Sequence, residues 1–284
     1  MEAAYEATAE GFAHSSFDAA EIMGGLYGDG IIALRGAFSR EWADRMREDI
    51  EVLFAEALAT AGGALPRGPE RYYVEVHPER VSGFVDIVTH PWFVAACRAV
   101  LGPDYKVVEV GFDIPLPGAA PQPWHRDFPA PPATLVGRRL NSLAFNLTAV
   151  DTVLEMGPFE IALGTQWDDL SGHPKGMFPP KSFYPRYEQR KARKMPQRGD
   201  ISARSALAVH RGTANRSGVS RPVLVVGADA PDATNAQHHD LQITRRYAAR
   251  LPKNVLEHLT YRLVEELEFV VQAHTIEGLL QPAY

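Results

Sequence analysis

Cysteine is almost absent from this sequence, since Cys97 is the only one among 284 residues. A single cysteine excludes an intrachain disulfide, a cysteine-based zinc site and an iron–sulfur cluster. Any metal ion that the protein binds must therefore be held by histidine and carboxylate side chains. The chain contains 10 histidines, so a metal site of that kind stays open.

Long apolar runs and an excess of positive charge are also missing. No segment approaches ~18 consecutive apolar residues, and the acidic N-terminus MEAAYEATAEGF lacks the basic start and apolar core of a signal peptide. The formal net charge is -6, which gives no overall attraction to nucleic acid or anionic lipid. These absences predict a cytoplasmic protein that binds neither nucleic acid nor membrane.

The rest of the composition is typical of a globular protein. Hydrophobic residues make up 45% of the chain and charged residues 23%, values close to the globular average. The length allows one large domain or two small ones. Because the sequence shows no repeat, low-complexity tract or convincing linker, we predict a single domain over residues 1–284.

Periodicity divides this domain into three parts. Apolar residues recur at helical spacing in Ser39–Ala57, and Pro91–Leu101 reads as a second helix, so N-terminal helices are expected over about 18–101. Short apolar runs between Gly/Pro turns then predict a β core over about 105–230. Helical character returns in 231–284, which is expected to pack on the core or on a second copy in a homodimer. The predicted strands are Tyr105–Leu116, Gln122–Phe128, Leu140–Val150, Phe159–Leu163, Ser205–Val209 and Pro222–Ala228.

A polar, basic insertion interrupts the β core at residues 168–204. Two interpretations stay open: a lid that meets an acidic substrate or co-substrate, and a solvated loop or short helix. Its basic residues include Lys181, Arg186, Arg190, Lys191, Arg193, Lys194, Arg198 and Arg204.

The segment His125-Arg126-Asp127 is a candidate metal motif. On an extended strand the two side chains of a His-x-Asp pair lie on one face, and a histidine from a neighbouring strand would complete three ligands for Fe(II). His210 is the candidate third ligand, because a strand there would place the small residues Ala206 and Ala208 beside it. His238-His239-Asp240 also fits the pattern, but its polar surroundings lack strand character, and we set it aside.

Two further features predict a filled pocket in the barrel. Along Leu140–Val150, the small or polar residues Ser142, Ala144 and Asn146 would share one face of the strand. Arg221 opens the run RPVLVVGAD and would point into a largely apolar interior, where an unpaired guanidinium is costly. Its partner is either the carboxylate of a bound co-substrate or a carboxylate of the protein itself.

Together these motifs resemble the phytanoyl-CoA dioxygenase family of Fe(II)/2-oxoglutarate-dependent oxygenases. The resemblance rests on HRD at 125–127, GPFEIALGTQW at 157–167, GDISARSALAVH at 199–210 and an H-x10-R pair that ends at Arg221, and it covers roughly 28–231. It implies a double-stranded β-helix, which is a mainly β, jelly-roll (cupin-like) barrel with flanking helices. It also implies that His125, Asp127 and His210 are the iron ligands.

The resemblance further implies three contacts with 2-oxoglutarate. Arg221 matches the arginine that binds the distal carboxylate of this co-substrate. Thr165 matches a Ser/Thr that contacts the same molecule, and Gln122 matches a position whose side chain reaches its other end. The sequence departs from the family at Leu163 and Gln166, where proline and histidine are usual.

The implied activity is that of a dioxygenase which uses Fe(II), 2-oxoglutarate and O2, forms succinate and CO2, and most simply hydroxylates a small-molecule substrate. Natural-product metabolism is the expected setting, although the sequence predicts no particular substrate and no substrate-binding residue. Halogenation is disfavoured because halogenating relatives replace the carboxylate found here as Asp127. Two alternatives remain: a cupin-like metal enzyme that does not use 2-oxoglutarate, and a non-catalytic jelly-roll binding protein.

Overall fold

Helices fill much of the described chain before residue 102, and nine of its twelve strands come afterwards. The computed structural model describes residues 17–233, 235 and 238–271. The first part contains α1 Ala19–Gly24, β1 Ile31–Leu34, α2 Arg40–Ala59, β2 Leu65–Pro66, β3 Arg71–Glu75, α3 Phe84–Thr89 and α4 Pro91–Leu101. The second contains β4 Lys106–Pro115, α5 Pro132–Gly137, β5 Ser142–Thr148, β6 Phe159–Ala162, α6 Tyr184–Arg190, β7 Lys191–Arg193, β8 Ile201–Ser205, β9 His210–Gly212 and β10 Val223–Asp229. The last contains β11 Gln242–Thr244, α7 Arg245–Ala248, α8 Lys253–His258 and β12 Arg262–Val264.

Helix α2 is amphipathic, as its sequence predicts. It begins after Ser39, whose side chain accepts a hydrogen bond from the backbone amide of Trp42 and so satisfies one free amide of the first turn. Met46 and Ile50 lie on its buried face and belong to the same hydrophobic core as Phe145 of the main sheet. The helix therefore covers the outer face of the β core. Within the described part of the chain, no helix combines the length and apolarity that a membrane span requires.

Two antiparallel sheets form the β core. The main sheet has seven strands in the order β1-β8-β5-β10-β4-β3-β2, and the second has three in the order β7-β6-β9. The segment around His125 joins β9 of the second sheet through an isolated bridge between His125 and His210. This arrangement of sheets with flanking helices confirms the predicted jelly-roll fold class.

The alternation along β5 separates the core from an internal cavity. Phe145 and Leu147 are buried in the hydrophobic core, whereas Ala144 and Asn146 line the cavity on the opposite face. Ser142 lies on the cavity side as well. The small residues on this face leave the open space that the sequence predicted there.

Two predicted strands differ from the structure. Gln122–Phe128 forms a loop with the one bridge at His125. Ser205–Val209 is not a strand, because Ser205 accepts the Leu207 amide through its hydroxyl oxygen and the Ala208 amide through its carbonyl. The chain turns at that point, so an apolar run that reads as one strand is in fact the link between β8 and β9.

The basic insertion is also different from its prediction. Its second half contains β7 and β8, and β8 lies between β1 and β5, so Arg204 belongs to the main sheet. Of its basic residues, Lys194 and Arg204 alone line the cavity. Four others are satisfied by carboxylates of the chain, in the pairs Arg186–Asp168, Lys191–Glu188, Arg193–Glu160 and Arg198–Asp44. These four charges therefore do not indicate an acidic substrate.

The C-terminal segment is only partly helical. Val255 in α8 and Leu259 after it are buried in the core, as expected. Leu263 lies instead in β12, which pairs in parallel with β11. The predicted helical character therefore ends at His258, and Leu259 and Leu263 follow the helix. Residues 272–284 lie outside the described part, and the homodimer stays a prediction.

Candidate metal centre and co-substrate pocket

His125, Asp127 and His210 come together at one place on the cavity wall. One ligand atom from each lies within 4.8 Å of those from the other two. Backbone pairing fixes this geometry, since the His125 amide donates to the His210 carbonyl at 2.9 Å and the His210 amide donates back at 2.7 Å. The Asp127 amide donates to the Ala206 carbonyl at 3.1 Å. The HRD loop is therefore held in place although it is not a strand.

Both histidines present the same ring nitrogen to the site. Nδ1 of His125 lies 2.9 Å from the Pro123 carbonyl oxygen, and Nδ1 of His210 lies 2.9 Å from the Ala208 carbonyl oxygen. A carbonyl can only accept, so each Nδ1 carries a proton and donates it, which leaves Nε2 for a metal. Burial lowers the pKa of both rings, with an added effect of His210 on His125 and of Arg204 on His210. Both imidazoles are therefore neutral, as metal ligands must be.

Asp127 supplies the negative charge of the site. One carboxylate oxygen accepts a hydrogen bond from Arg204 at 2.6 Å, and the other lies 3.3 Å from Nε2 of His210. Burial raises the pKa of this carboxyl, but the Arg204 guanidinium and the adjacent His210 ring outweigh it and hold the pKa well below its usual range. Two neutral imidazoles and one carboxylate form the donor set that suits Fe(II) and leaves coordination positions open. The residues present therefore fit the iron that the sequence motif implies.

The triad opens into a cavity of about 240 Å³ that also contains Arg221. Arg221 is 4% exposed, and its Nε has no hydrogen-bond partner. No carboxylate of the described residues lies within ion-pair distance of its guanidinium, and the nearby Asp113 pairs with Arg71 at 3.1 Å instead. Burial and the charge of Arg71 lower the pKa of Arg221 to about 10. Of the two partners considered for Arg221, a ligand carboxylate is the one that the structure leaves room for.

Lys194 is a further cation of the cavity, and no pattern in the sequence separates it from the rest of the basic insertion. Its Nζ lies 3.3 Å from the Asn146 side-chain oxygen and 4.8 Å from the ring centroid of Phe159. Phe159 in turn stacks on His210. Burial lowers the pKa of Lys194 to about 7, helped by the charges of Arg204 and Arg221. An anion in this part of the cavity would stabilise its charged form.

The two softer assignments separate in the structure. Gln122 lines the cavity, where its side-chain oxygen accepts the Gly212 amide at 3.0 Å. Thr165 does not line it: its hydroxyl donates to the Ala162 carbonyl at 2.6 Å and accepts the Val209 amide at 2.9 Å. We therefore correct the assignment of Thr165, because its only polar side-chain atom holds two backbone segments together. Gln166 is likewise structural, donating to carbonyls of the turn at residues 26–28.

The second His-x-Asp match lies apart from the triad. His238 is partly exposed and bonds Asp229 through Nε2 at 2.9 Å, and Asp240 pairs with Arg262. Among the described residues, His125, Asp127 and His210 form the only group suited to a metal. His239, in contrast, lines the main cavity, where it faces Glu75 and Glu109.

The His238–Asp229 pair predicts a pH-dependent contribution to stability. The hydrogen bond to Asp229 raises the pKa of His238, against the effect of burial. A raised pKa in the folded state stabilises the fold fully below the unfolded value of ~6.5, and this contribution is lost as pH rises through the folded pKa. Because the ring is half-exposed, we expect the pair to contribute under ~1 kcal/mol to the free energy of unfolding. The free energies of unfolding in urea of the parent and His238→Gln should differ most near pH 6 and become equal as the pH rises. A difference that does not change with pH would contradict the pairing.

Comparison with known proteins gives one family and several similar folds. The family model described as Phytanoyl-CoA dioxygenase (PhyH) matches residues 26–223. No curated protein sequence matches the chain. Among solved structures, EctD from S. alaskensis, determined with 2-oxoglutarate and 5-hydroxyectoine, has a TM-score of 0.61 at 14% identity, covering 77% of this chain and 78% of that one.

Two further solved structures have the same fold. SnoK, an alpha-ketoglutarate-dependent carbocyclase from nogalamycin biosynthesis, has a TM-score of 0.61 at 18% identity and covers 84% of this chain and 92% of that one. HygX from Streptomyces hygroscopicus, determined with nickel and 2-oxoglutarate, has a TM-score of 0.55 at 13% identity and covers 81% and 95%. At these identities the likeness concerns the fold.

Proposed function

Because the chain belongs to the phytanoyl-CoA dioxygenase family, we propose that it is a non-haem Fe(II)- and 2-oxoglutarate-dependent dioxygenase with His125, Asp127 and His210 as its iron ligands. One observation carries the proposal: two neutral imidazoles and a carboxylate converge within 4.8 Å on the wall of a cavity that also holds an arginine without a carboxylate partner among the described residues. The triad accounts for the metal, and Arg221 accounts for the co-substrate.

Iron held by this triad supplies the oxygen chemistry that amino-acid side chains lack. The protein's own contribution is to bind and orient. His125 and His210 present Nε2, and Asp127 presents the carboxylate oxygen that faces His210. Arg221 binds the distal carboxylate of 2-oxoglutarate by a charge-assisted pair.

Two other cavity residues support the co-substrate in this proposal. Lys194 adds a further positive charge to the cavity that takes the dianion. Gln122 lies on the same wall as the triad and approaches the other end of 2-oxoglutarate. The expected products are succinate, CO2 and an oxidised small molecule, most simply a hydroxylated one. Natural-product metabolism is the proposed setting, as for SnoK.

Arg204 acts in this site as a positioning residue. Arg204 is buried and donates a hydrogen bond to one carboxylate oxygen of Asp127, while the other oxygen faces His210. Loss of such an outer partner typically lowers metal affinity ~10–100-fold. We expect that loss for Arg204→Gln in a competition titration with Ni(II), whereas Arg139→Gln, which breaks an exposed ion pair with Asp232, should leave the affinity unchanged. Equal affinities for the two variants would contradict this role.

The proposed reaction is tested by the formation of succinate. Chelator-treated protein is incubated with Fe(II), O2 and 2-oxoglutarate, with and without a library of small metabolites, and each component is omitted in turn. We expect succinate only when all three are present, and more of it when the library contains a substrate. Absence of succinate under every condition would overturn the proposal. Oxidation of a library substrate at a rate that does not depend on 2-oxoglutarate would favour the cupin-like alternative.

A further inference from the structure

A second polar cluster lines the cavity, formed by Tyr73 and Glu75 of β3, Glu109 of β4 and His239; we call it the acidic cluster. Nε2 of His239 lies 4.0 Å from one carboxylate oxygen of Glu75 and 4.0 Å from one of Glu109. The Tyr73 hydroxyl donates a hydrogen bond to Glu109. None of these residues belongs to the metal triad or contacts Arg221.

Glu75 is a buried carboxylate that receives no hydrogen bond within the described part of the chain. The residue is 7% exposed, and no described residue donates a hydrogen bond to its carboxylate. Its one ion-pair contact, to His239, is longer than a hydrogen bond. Burial raises the pKa of Glu75, and burial raises that of Glu109 to about 7. A buried carboxylate without a donor is costly, and such groups in folded proteins are normally satisfied by a partner.

Two glycines make the space that this cluster occupies. A Cβ at Gly227 of β10 would lie 2.6 Å from a carboxylate oxygen of Glu109, and one at Gly111 of β4 would lie 2.6 Å from the Tyr73 hydroxyl. Neither glycine has a positive φ, so the backbone conformation does not require them. Glycine inside a strand is destabilising and often marks a close approach. The sheet is therefore shaped around these two polar side chains.

In the described part of the chain, no lysine or arginine lies within ion-pair distance of Glu75 or Glu109. The guanidinium of Arg67 packs over the Tyr73 ring, 4.7 Å from its centroid, and in the described part of the chain it has no carboxylate within 4.0 Å. Arg204 pairs with Asp127. Glu109 lies close enough to Asp127 for the Asp127 charge to raise the pKa of Glu109 further. The acidic cluster and the triad therefore face the same space.

We propose that Glu75 and Glu109 form a substrate subsite for a protonated amine, so that the enzyme oxidises a cationic, amine-bearing small molecule. An ammonium group can donate three hydrogen bonds, and its positive charge would balance the negative charge of the two carboxylates. An amine bound beside the triad would direct the rest of the substrate toward the metal. The inference rests on the proposed function, because only a reaction at the triad makes the shared cavity a substrate pocket.

The subsite is tested with cyclohexylamine as a cationic probe and cyclohexanol as its neutral counterpart. Both are titrated into the full chain loaded with Ni(II) and 2-oxoglutarate, and binding is followed by ligand-observed NMR. We expect the amine to bind at least ~30-fold more tightly than the alcohol, the lower end of what a buried charge pair contributes. Glu75→Gln and Glu109→Gln should each remove that preference. Glu48→Gln, which alters an exposed carboxylate of α2, should keep it.

The outcomes separate the subsite from the function beneath it. Equal binding of amine and alcohol by the parent, or an unchanged preference in both Gln variants, overturns the subsite. If Ni(II) and 2-oxoglutarate still bind in that case, the proposed function stands. Failure of the parent to bind Ni(II) and 2-oxoglutarate at all overturns the proposed function, and the subsite with it.

Discussion

Asp127→Ala is expected to abolish metal binding and succinate formation. The substitution removes the one anionic ligand of the triad and leaves the buried Arg204 without its partner. Loss of an outer-shell group typically costs ~10–100-fold in metal affinity or activity, and loss of a ligand should exceed ~100-fold. Asp127→Asn keeps the side-chain volume and should lose activity similarly, which separates the effect from packing.

The second His-x-Asp match provides the control for this experiment. Asp240→Ala removes an exposed carboxylate that pairs with Arg262, and both Ni(II) affinity and succinate formation should stay within twofold of the parent, as for most surface changes. Measured side by side, the two variants compare one motif in the site with one outside it. Equal activity of Asp127→Ala and Asp240→Ala would contradict the assignment of the triad.

Arg221→Gln is expected to weaken 2-oxoglutarate binding while metal binding is retained. Arg221 is buried and has no carboxylate within ion-pair distance in the described residues, so its charge is available to a ligand. Removing one partner of a buried charge pair costs several kcal/mol, which predicts a Kd at least ~30-fold higher. Arg221→Lys keeps the charge but not the bidentate geometry and should recover part of the affinity.

The measurement is an anaerobic titration of the Ni(II)-loaded protein with 2-oxoglutarate. Arg216→Gln is the matched control, because Arg216 is exposed and lies five residues away in sequence. Its Kd should match that of the parent. If Arg221→Gln bound 2-oxoglutarate as tightly as Arg216→Gln, the cupin-like alternative would be favoured.

The three proposed metal ligands could be picked out from the sequence because each occurs in a recognisable local motif. HRD at 125–127 and His210 in front of an arginine identified them, although the strand argument used to place them was wrong. The HRD segment is a loop, and a turn at residues 206–209 precedes His210. Backbone pairing between His125 and His210 produces the geometry instead, and such a long-range pair leaves no periodic pattern in the sequence.

Other site residues could not be predicted, since the register of the sheet brings them together. Glu75 and Glu109 meet because β3 and β4 pair, and His239 arrives from the segment after β10. Lys194 appeared to belong to a polar insertion because the strands around it are short. Thr165 shows the opposite failure. The motif placed it near the co-substrate, but its hydroxyl bonds to the backbone of Ala162 and Val209 and does not line the cavity.

A crystal structure of the protein with Ni(II) and 2-oxoglutarate tests the central claim most directly. We predict one metal ion bonded to Nε2 of His125, a carboxylate oxygen of Asp127 and Nε2 of His210 at about 2.0–2.2 Å. The distal carboxylate of 2-oxoglutarate should contact the guanidinium of Arg221. A metal bound away from this triad, or a 2-oxoglutarate molecule whose distal carboxylate lies elsewhere, would contradict the account.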